Sequence, residues 1–296
     1  MNYLTYTEYE TSLKSIETEN YLDRIFFRPI GFLIAKLLSK TCTTPNTITI
    51  ISIFIGVAVG PLFYFENFYY TLSGILCLII ANILDCVDGQ LARLTDKKSN
   101  IGRILDGLAG DIWFAVIYIS LALRLKNEFN TWLFFIPAVL SGLSHLIQAN
   151  ITDYYKTLHL YFVSKEKGEE FQNHDEIRSQ YKHMKPGYRK VLLYIYAAYT
   201  SIQETVTPRL QLMLKHLHAQ YGDDIPEELR KDFRRRSKRL MKIFIDSMTF
   251  NGRVVILIIA VLTGYIWFYF LYEIIILNIF LVISIYLHEK ICMKFI

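Results

Sequence analysis

The stretch that decides the fold runs from Asp85 to Asp111 and reads DCVDGQLARLTDKKSNIGRILDGLAGD. It lies between long apolar runs, and its aspartates at 85, 88, 106 and 111 fall where membrane helices would end or begin. A charged carboxylate at the centre of a membrane helix costs about 2.5 to 3.5 kcal/mol on insertion scales. These aspartates therefore predict a functional site built into membrane helices.

Apolar runs extend outward from this stretch on both sides, at 47–65, 67–84, 112–123, 131–149, 254–272 and 274–287. A helix that crosses about 30 Å of hydrocarbon needs about 20 residues, so 112–123 spans only if it reaches back through Asp111 and Asp106. We predict an all-α integral membrane protein with six transmembrane helices. A tight turn is expected near Glu273, because it is the only charged residue between 254 and 287.

The cations indicate the orientation. Residues 151–250 carry 18 Lys and Arg against 13 Asp and Glu, and cytoplasmic loops are enriched in cations. We predict that both termini and the carboxylates face the cytoplasm, in a bacterial inner membrane. The N-terminal region, 1–46, is predicted to be cytoplasmic and to contain an interfacial amphipathic helix at 21–40. Four spans are predicted at 47–150, followed by a helical cytoplasmic insert at 151–250. The last region, 251–296, is predicted to contain two spans and a short tail. The net charge of +5 is too diffuse for a nucleic-acid partner, so membrane lipids are the expected surroundings.

The aspartates themselves suggest a metal. Asp85 and Asp88 are three residues apart and share a helix face. The short cytoplasmic turn that follows brings Asp106 to the same depth. Several like charges in one place need compensation, and oxygen ligands suit one or two Mg²⁺ or Mn²⁺ ions. Small residues beside the aspartates leave room for a ligand or for close helix approach.

The pattern D-x2-D-G-x2-A-R-x8-G-x3-D resembles the signature of CDP-alcohol phosphotransferases. The matching positions are Asp85, Asp88, Gly89, Ala92, Arg93, Gly102 and Asp106. A Pro-Asn pair that opens the first span, Pro45-Asn46, is similar to the family's usual entry.

The resemblance implies transfer of a substituted phosphate from a CDP-linked lipid, such as CDP-diacylglycerol, to the hydroxyl of a small polar alcohol, with release of CMP. It implies metal binding by Asp85, Asp88, Asp106 and Asp111, with Asp111 as general base. It places the nucleotide at Gly89, Ala92, Arg93, Gly102 and Asn46, and it suggests a homodimer. From its position at the cytoplasmic start of the fifth predicted span, Arg253 is a candidate for an acceptor phosphate.

One position departs from the family pattern. The family's last Asp stands four residues after the third, where this chain has Gly110, and Asp111 comes one residue later. In a regular α-helix Asp111 turns about 140° away from Asp106. A π-bulge near Gly110 would realign it, and we expect such a bulge. Without the bulge, the base is missing and the enzyme is altered or inactive.

Three alternatives stay open at this point. Inositol or inositol phosphate is the acceptor we expect, but transfer from CDP-choline or CDP-ethanolamine to diacylglycerol uses the same motif. A divalent-cation carrier would use the same carboxylates, although the far halves of spans two and three are apolar. A catalytically silent membrane scaffold is the third alternative, because of Gly110. His145, in the fourth span, is expected to be a hydrogen-bonded histidine of the helix bundle.

Overall fold

The computed structural model describes the chain except for residues 1–2, 16, 98–99, 165–170, 172–173 and 223. The described residues form helices and turns, and no strand occurs among them. The helices are α1 Tyr3–Ser12, α2 Arg28–Leu38, α3 Pro45–Tyr64, α4 Phe68–Leu94, α5 Asn100–Phe129, α6 Phe135–Val163, α7 His174–His183, α8 Tyr188–Val206, α9 Pro208–Tyr221, α10 Glu227–Leu240, α11 Phe250–Thr263, α12 Ile266–Leu271 and α13 Leu277–Cys292.

Five helical segments are long and apolar enough to cross a membrane: Pro45–Tyr64, Phe68–Leu94, Ile104–Phe129, Trp132–Val163 and Ile266–Cys292. A sixth is obtained if the bent pair Glu227–Met248 and Phe250–Thr263 is taken as one span. The predicted class, an all-α integral membrane protein, is confirmed. The cytoplasmic placement of the termini stays a prediction.

Local chemistry sets where the first two spans begin. The Thr44 hydroxyl accepts a hydrogen bond from the Thr47 amide at 3.3 Å, and Pro45 occupies the first helical position, where its missing N–H costs nothing. The Asn67 side chain accepts from the Tyr69 amide at 2.8 Å and starts α4 in the same way. Only Phe65 to Asn67 separate the two helices, so α3 and α4 are antiparallel neighbours.

The predicted turn near Glu273 is wrong. The chain breaks at Gly264, whose φ of +80° is a conformation that glycine adopts without strain. Helix α12 starts two residues later and continues through a π-helical turn at Tyr272–Ile276 into α13. Glu273 lies inside this continuous helix and is fully buried. The last span is therefore one helix, and the 14-residue α11 that precedes it covers only about 21 Å.

The chain divides into two compact units, and the first comprises Met1–Leu146 and Arg253–Ile275. Glycines allow its helices to pack closely. A Cβ atom on Gly56 of α3 would lie 2.3 Å from the indole ring of Trp113 on α5. One turn further, a Cβ on Gly60 would lie 2.9 Å from the Val116 carbonyl oxygen. This Gly-x3-Gly pair lets α5 approach the backbone of α3, as small residues do between membrane helices.

Helix α2 follows a π-helical turn at Asp23–Phe27, so residues 21–38 are helical. Phe27, Phe32 and Ala35 are buried, whereas Ile25 and Leu33 are more than half exposed. An apolar face left open beside the first span suits the lipid interface. The interfacial placement of the predicted helix at 21–40 stays a prediction.

The second unit comprises Ile147–Gly252 and Ile276–Ile296 and contains the insert, which is helical as expected. Its helices are joined by polar contacts. The two carboxylate oxygens of Glu289 accept hydrogen bonds from the amides of Arg209, at 2.7 Å, and Leu210, at 3.1 Å. These amides belong to the first turn of α9, where a negative charge is favourable. The cytoplasmic location of the unit stays a prediction.

Gly56→Ala should destabilise the protein, because the new methyl group would overlap the Trp113 ring. Overpacking of this kind costs about 1 to 3 kcal/mol, so the midpoint of thermal unfolding in detergent should fall by several degrees. Gly142→Ala on α6 is the matched control, since its Cβ would lie 3.9 Å from Tyr118, an ordinary contact. Equal midpoints for the two variants would contradict the proposed packing of α3 on α5.

Candidate functional site

Two helices of the first unit bring three aspartates together. Asp85 and Asp88 lie on α4, which stays helical to Leu94, and Asp106 lies in the second turn of α5. The Asp85 carboxyl group hydrogen-bonds to the Asp106 carboxylate. Asp88 is 3% exposed and interacts electrostatically with Asp85 and Asp106. The structure thus joins α4 and α5 at the positions predicted from the motif.

A third helix contributes Thr49. This residue of α3 is buried, and its hydroxyl donates a hydrogen bond to the Asp88 carboxylate. Its oxygen also lies 3.2 Å from the Pro45 carbonyl oxygen, one turn earlier in the same helix. Asp88 is therefore held against α3, whereas Asp85 and Asp106 contact each other directly.

The described residues include no group of three or more His, Cys, Asp or Glu side chains that is arranged to hold one metal ion. The chemistry of the donors nonetheless fits Mg²⁺ or Mn²⁺, because the three side chains offer only carboxylate oxygens. Two of them are already in contact, and two carboxylates at that distance need a shared proton or a cation between them. The three aspartates thus fit a hard divalent ion in donor type.

The other motif residues lie around these aspartates. Gly89 is covered by the Arg93 guanidinium, whose nitrogens would lie 3.2 and 3.5 Å from a Cβ at Gly89. Ala92 and Gly102 are half-buried, and Asn46 is exposed at the start of α3, one turn before Thr49. Arg93 points to the N-terminal part of the chain, where its Nε donates to the Ser12 carbonyl oxygen. No residue of α1 had been associated with the motif from the sequence.

The expected π-bulge near Gly110 is absent, because α5 is a regular α-helix from Asn100 to Phe129. Asp111 is consequently turned away from Asp106, and its carboxylate lies 3.6 Å from the His145 Nε2 atom. This orientation opposes the metal-ligand role expected for Asp111. The Tyr118 hydroxyl lies 3.2 Å from the His145 Nδ1 atom, within hydrogen-bond distance. His145 is thus a hydrogen-bonded histidine of the bundle, as expected.

The face of α5 that carries Asp106 is open beyond it. A Cβ atom on Gly110, four residues after Asp106, would meet no atom within 4 Å among the described residues beyond its own stretch of helix. Residues four apart share a helix face, so an Asp at position 110 would have room beside Asp106. The sequence has glycine where the family pattern has aspartate, but the structure leaves room for an aspartate side chain at this position.

The Arg253 side chain is buried and is not exposed to an acceptor phosphate. It is 1% exposed and forms an ion pair with Glu273, which is 0% exposed. The Tyr269 hydroxyl donates to the other Glu273 oxygen at 2.9 Å. Both members of the pair belong to the first unit, so Arg253 neutralises a buried carboxylate of its own unit. This pairing opposes the acceptor role suggested by the sequence.

Taken together, these features define a class: an α-helical membrane protein with a cluster of carboxylates shared by two neighbouring helices. Residues 42–167 match the family model described as CDP-alcohol phosphatidyltransferase.

Two curated proteins are similar to part of the chain. An archaetidylinositol phosphate synthase of Pyrococcus horikoshii is 38% identical over 90 residues, which cover 30% of this chain and 46% of the relative. An archaetidylinositol phosphate synthase of Aeropyrum pernix is 27% identical over 105 residues, covering 34% of this chain and 53% of the relative. The chain thus spans about half the length of these curated relatives.

Arg253→Met should lower the unfolding midpoint strongly, because it leaves the Glu273 carboxylate buried without its cation. Removing one member of a buried pair costs about 3 to 5 kcal/mol. The double variant Arg253→Met/Glu273→Met should recover most of this loss, since apolar residues replace buried pairs at little cost. Thermal unfolding in detergent measures both. A double variant no more stable than Arg253→Met would show that the ion pair does not hold these helices.

Proposed function

We propose that the protein is a metal-dependent phosphotransferase. It transfers a substituted phosphate from a CDP-linked lipid to the hydroxyl group of a small polar alcohol and releases CMP, as a step in phospholipid synthesis. The observation that carries the proposal is the contact between Asp85 and Asp106, with Asp88 beside them, on two apolar helices. The family model that matches residues 42–167 supports the same reaction class.

Asp85, Asp88 and Asp106 would hold one or two Mg²⁺ or Mn²⁺ ions. Bound there, the metal supplies positive charge that stabilises the attacking and leaving oxygens around phosphorus. Thr49 fixes the orientation of Asp88 through its hydrogen bond. Phosphoryl transfer depends mainly on positioning and electrostatics, which suits a site whose functional groups are carboxylates.

The small residues around the aspartates make room for the nucleotide. Gly89, Ala92 and Gly102 add little bulk beside the carboxylates, and Asn46 is exposed at the start of α3. Arg93 covers Gly89 and is anchored to the Ser12 carbonyl oxygen, so it would form one edge of the nucleotide site. The lipid tails of the donor would lie in the bilayer along α4 and α5, with the phosphates at the cytoplasmic face. A homodimer, implied by the resemblance, belongs to the same proposal.

The acceptor we propose is inositol phosphate. Support comes from the names of the two curated relatives, both archaetidylinositol phosphate synthases. The acceptor oxygen attacks phosphorus, the bond from phosphorus to the CMP oxygen breaks, and CMP leaves with the bonding electrons. The hydroxyl proton must pass to a nearby base. Because α5 is regular and Asp111 faces His145, not Asp106, we propose that Asp111 accepts this proton through one water molecule, with His145 in contact to share it.

CMP release tests the proposal directly. Purified protein in lipid nanodiscs is given CDP-diacylglycerol or CDP-archaeol, with Mg²⁺ or Mn²⁺ and one alcohol at a time: inositol phosphate, inositol, glycerol phosphate or serine. We expect CMP release with inositol phosphate that stops when EDTA is added. CMP release from CDP-choline with diacylglycerol would favour the reverse arrangement of the substrates, and no release with any pair would contradict enzymatic function.

Asp88→Asn should lower CMP release by more than about 100-fold. Even outer partners of metal ligands are worth about 10- to 100-fold in activity, and Asp88 is proposed as a direct ligand. Asp232→Asn is the matched control, because Asp232 lies on α10 and forms ion pairs with Arg235 and Arg236 of the same helix. Full activity in Asp88→Asn would refute the assigned ligand.

Asp111→Asn should lower the maximal rate by about 10²- to 10⁴-fold, the usual contribution of a general base, without weakening donor binding. Gly110→Asp, placed in the Asp111→Asn background, should restore part of the rate, because the open space beside Gly110 accepts a carboxylate on the Asp106 face. Rates measured at saturating inositol phosphate give the comparison. If Asp111→Asn keeps the normal rate, another group accepts the proton.

A further inference from the structure

The N-terminal segment, defined as residues 8–15 and 17–28, contacts the motif of α4 although it lies outside residues 42–167. The Gln90 side-chain nitrogen donates to the Ser12 hydroxyl oxygen and to the Arg28 carbonyl oxygen, both at 3.2 Å. Arg93 donates to the Ser12 carbonyl oxygen at the last turn of α1. Two motif residues therefore anchor a segment that the family model does not include.

The contact between the N-terminal segment and Gln90 depends on close packing. Gln90 and Ser12 are both fully buried. A Cβ atom on Gly31 of α2 would lie only 2.6 Å from the Gln90 side-chain oxygen, so the absence of a side chain at position 31 admits Gln90. Cations also interact favourably with carbonyl groups at the C-terminal end of a helix, which is where Arg93 meets α1. The segment is thus held in one place over the end of α4.

The segment brings two cations to the aspartates. Lys14, which follows α1 directly, interacts electrostatically with Asp106. Arg28 interacts electrostatically with Asp85 and Asp106. Arg28 also forms an ion pair with Glu19, with its Nε atom 3.0 Å from the carboxylate oxygen. Lys14 is partly exposed.

The charge balance explains what these cations would recognise. Three carboxylates are compensated largely by divalent ions in the proposed enzyme, and Arg28 is compensated in part by Glu19. Lys14 and Arg28 then add positive charge beside the three aspartates. Lysine and arginine in such surroundings bind phosphate oxygens through charge-assisted hydrogen bonds.

We propose that the N-terminal segment forms one wall of the substrate site and that Lys14 and Arg28 bind substrate phosphate oxygens there. The proposal rests on the proposed function and deepens it, because it assigns a phosphate subsite to residues outside the family motif. The phosphate belongs either to the diphosphate of the donor or to the phosphorylated acceptor, and the two are chemically alike at this point.

Ligand binding tests the subsite without requiring turnover. CDP and inositol 1-phosphate are titrated separately, in Mg²⁺, into the full-length protein in nanodiscs by isothermal calorimetry. Lys14→Gln should weaken the binding of one of them by about 10-fold or more, while Lys14→Arg should stay within about threefold of the wild type. The ligand that loses affinity identifies the source of the phosphate. Lys40→Gln is the control, because Lys40 is an exposed lysine just after α2.

Arg28 needs a variant that spares the fold, since its removal alone would strand Glu19. The double variant Arg28→Gln/Glu19→Gln removes the pair together and should weaken the same ligand as Lys14→Gln, with an unchanged unfolding midpoint.

The proposal is overturned if the wild type binds neither probe, if Lys14→Gln binds both within twofold of the wild type, or if Lys40→Gln loses as much affinity. Lys14-dependent binding without any CMP release would instead refute the proposed reaction and leave the phosphate subsite standing.

Discussion

The structure depends on carboxylates that lie buried or half-buried between apolar helices. Asp85 and Asp106 touch each other, and Asp88 is nearly inaccessible to solvent. In surroundings of low polarity such groups are tolerated only when hydrogen bonds or cations compensate them. Thr49 from α3 supplies one hydrogen bond, and the N-terminal segment supplies positive charge from Lys14 and Arg28. Elements distant in the chain thus converge on one end of α4.

Most of the architecture could be predicted from the sequence, because long uncharged runs and the residues that cap helices are local features of the chain. The class, the positions of the first four spans and the helical insert followed from runs of apolar residues and from the charges between them. The turn at Glu273 did not follow, since a charge in an apolar run normally marks the end of a span. Here Arg253, far back in the chain, neutralises Glu273 within the membrane helices, and the break falls at Gly264.

The candidate site was predictable only where it is local. The spacing of Asp85, Asp88 and Asp106 indicated a shared site, and the structure joins these residues. The orientation of Asp111 was not predictable, because the choice between a bulge and a regular helix depends on the partner His145 of α6. The sequence around Lys14 and Arg28 does not mark them as site residues, because they are ordinary cations in a polar N-terminal region. They come near the aspartates only because Gln90 and Arg93 anchor that segment.

The central claim is that Asp85, Asp88 and Asp106 together bind a divalent cation, and Mn²⁺ binding followed by electron paramagnetic resonance tests it most directly. The wild-type protein in nanodiscs should remove free Mn²⁺ signal in proportion to its concentration. Asp106→Asn should lose this binding, whereas Asp232→Asn should keep it. Equal Mn²⁺ binding by the wild type and Asp106→Asn would contradict the account, because it would place the metal, and with it the proposed chemistry, elsewhere in the protein.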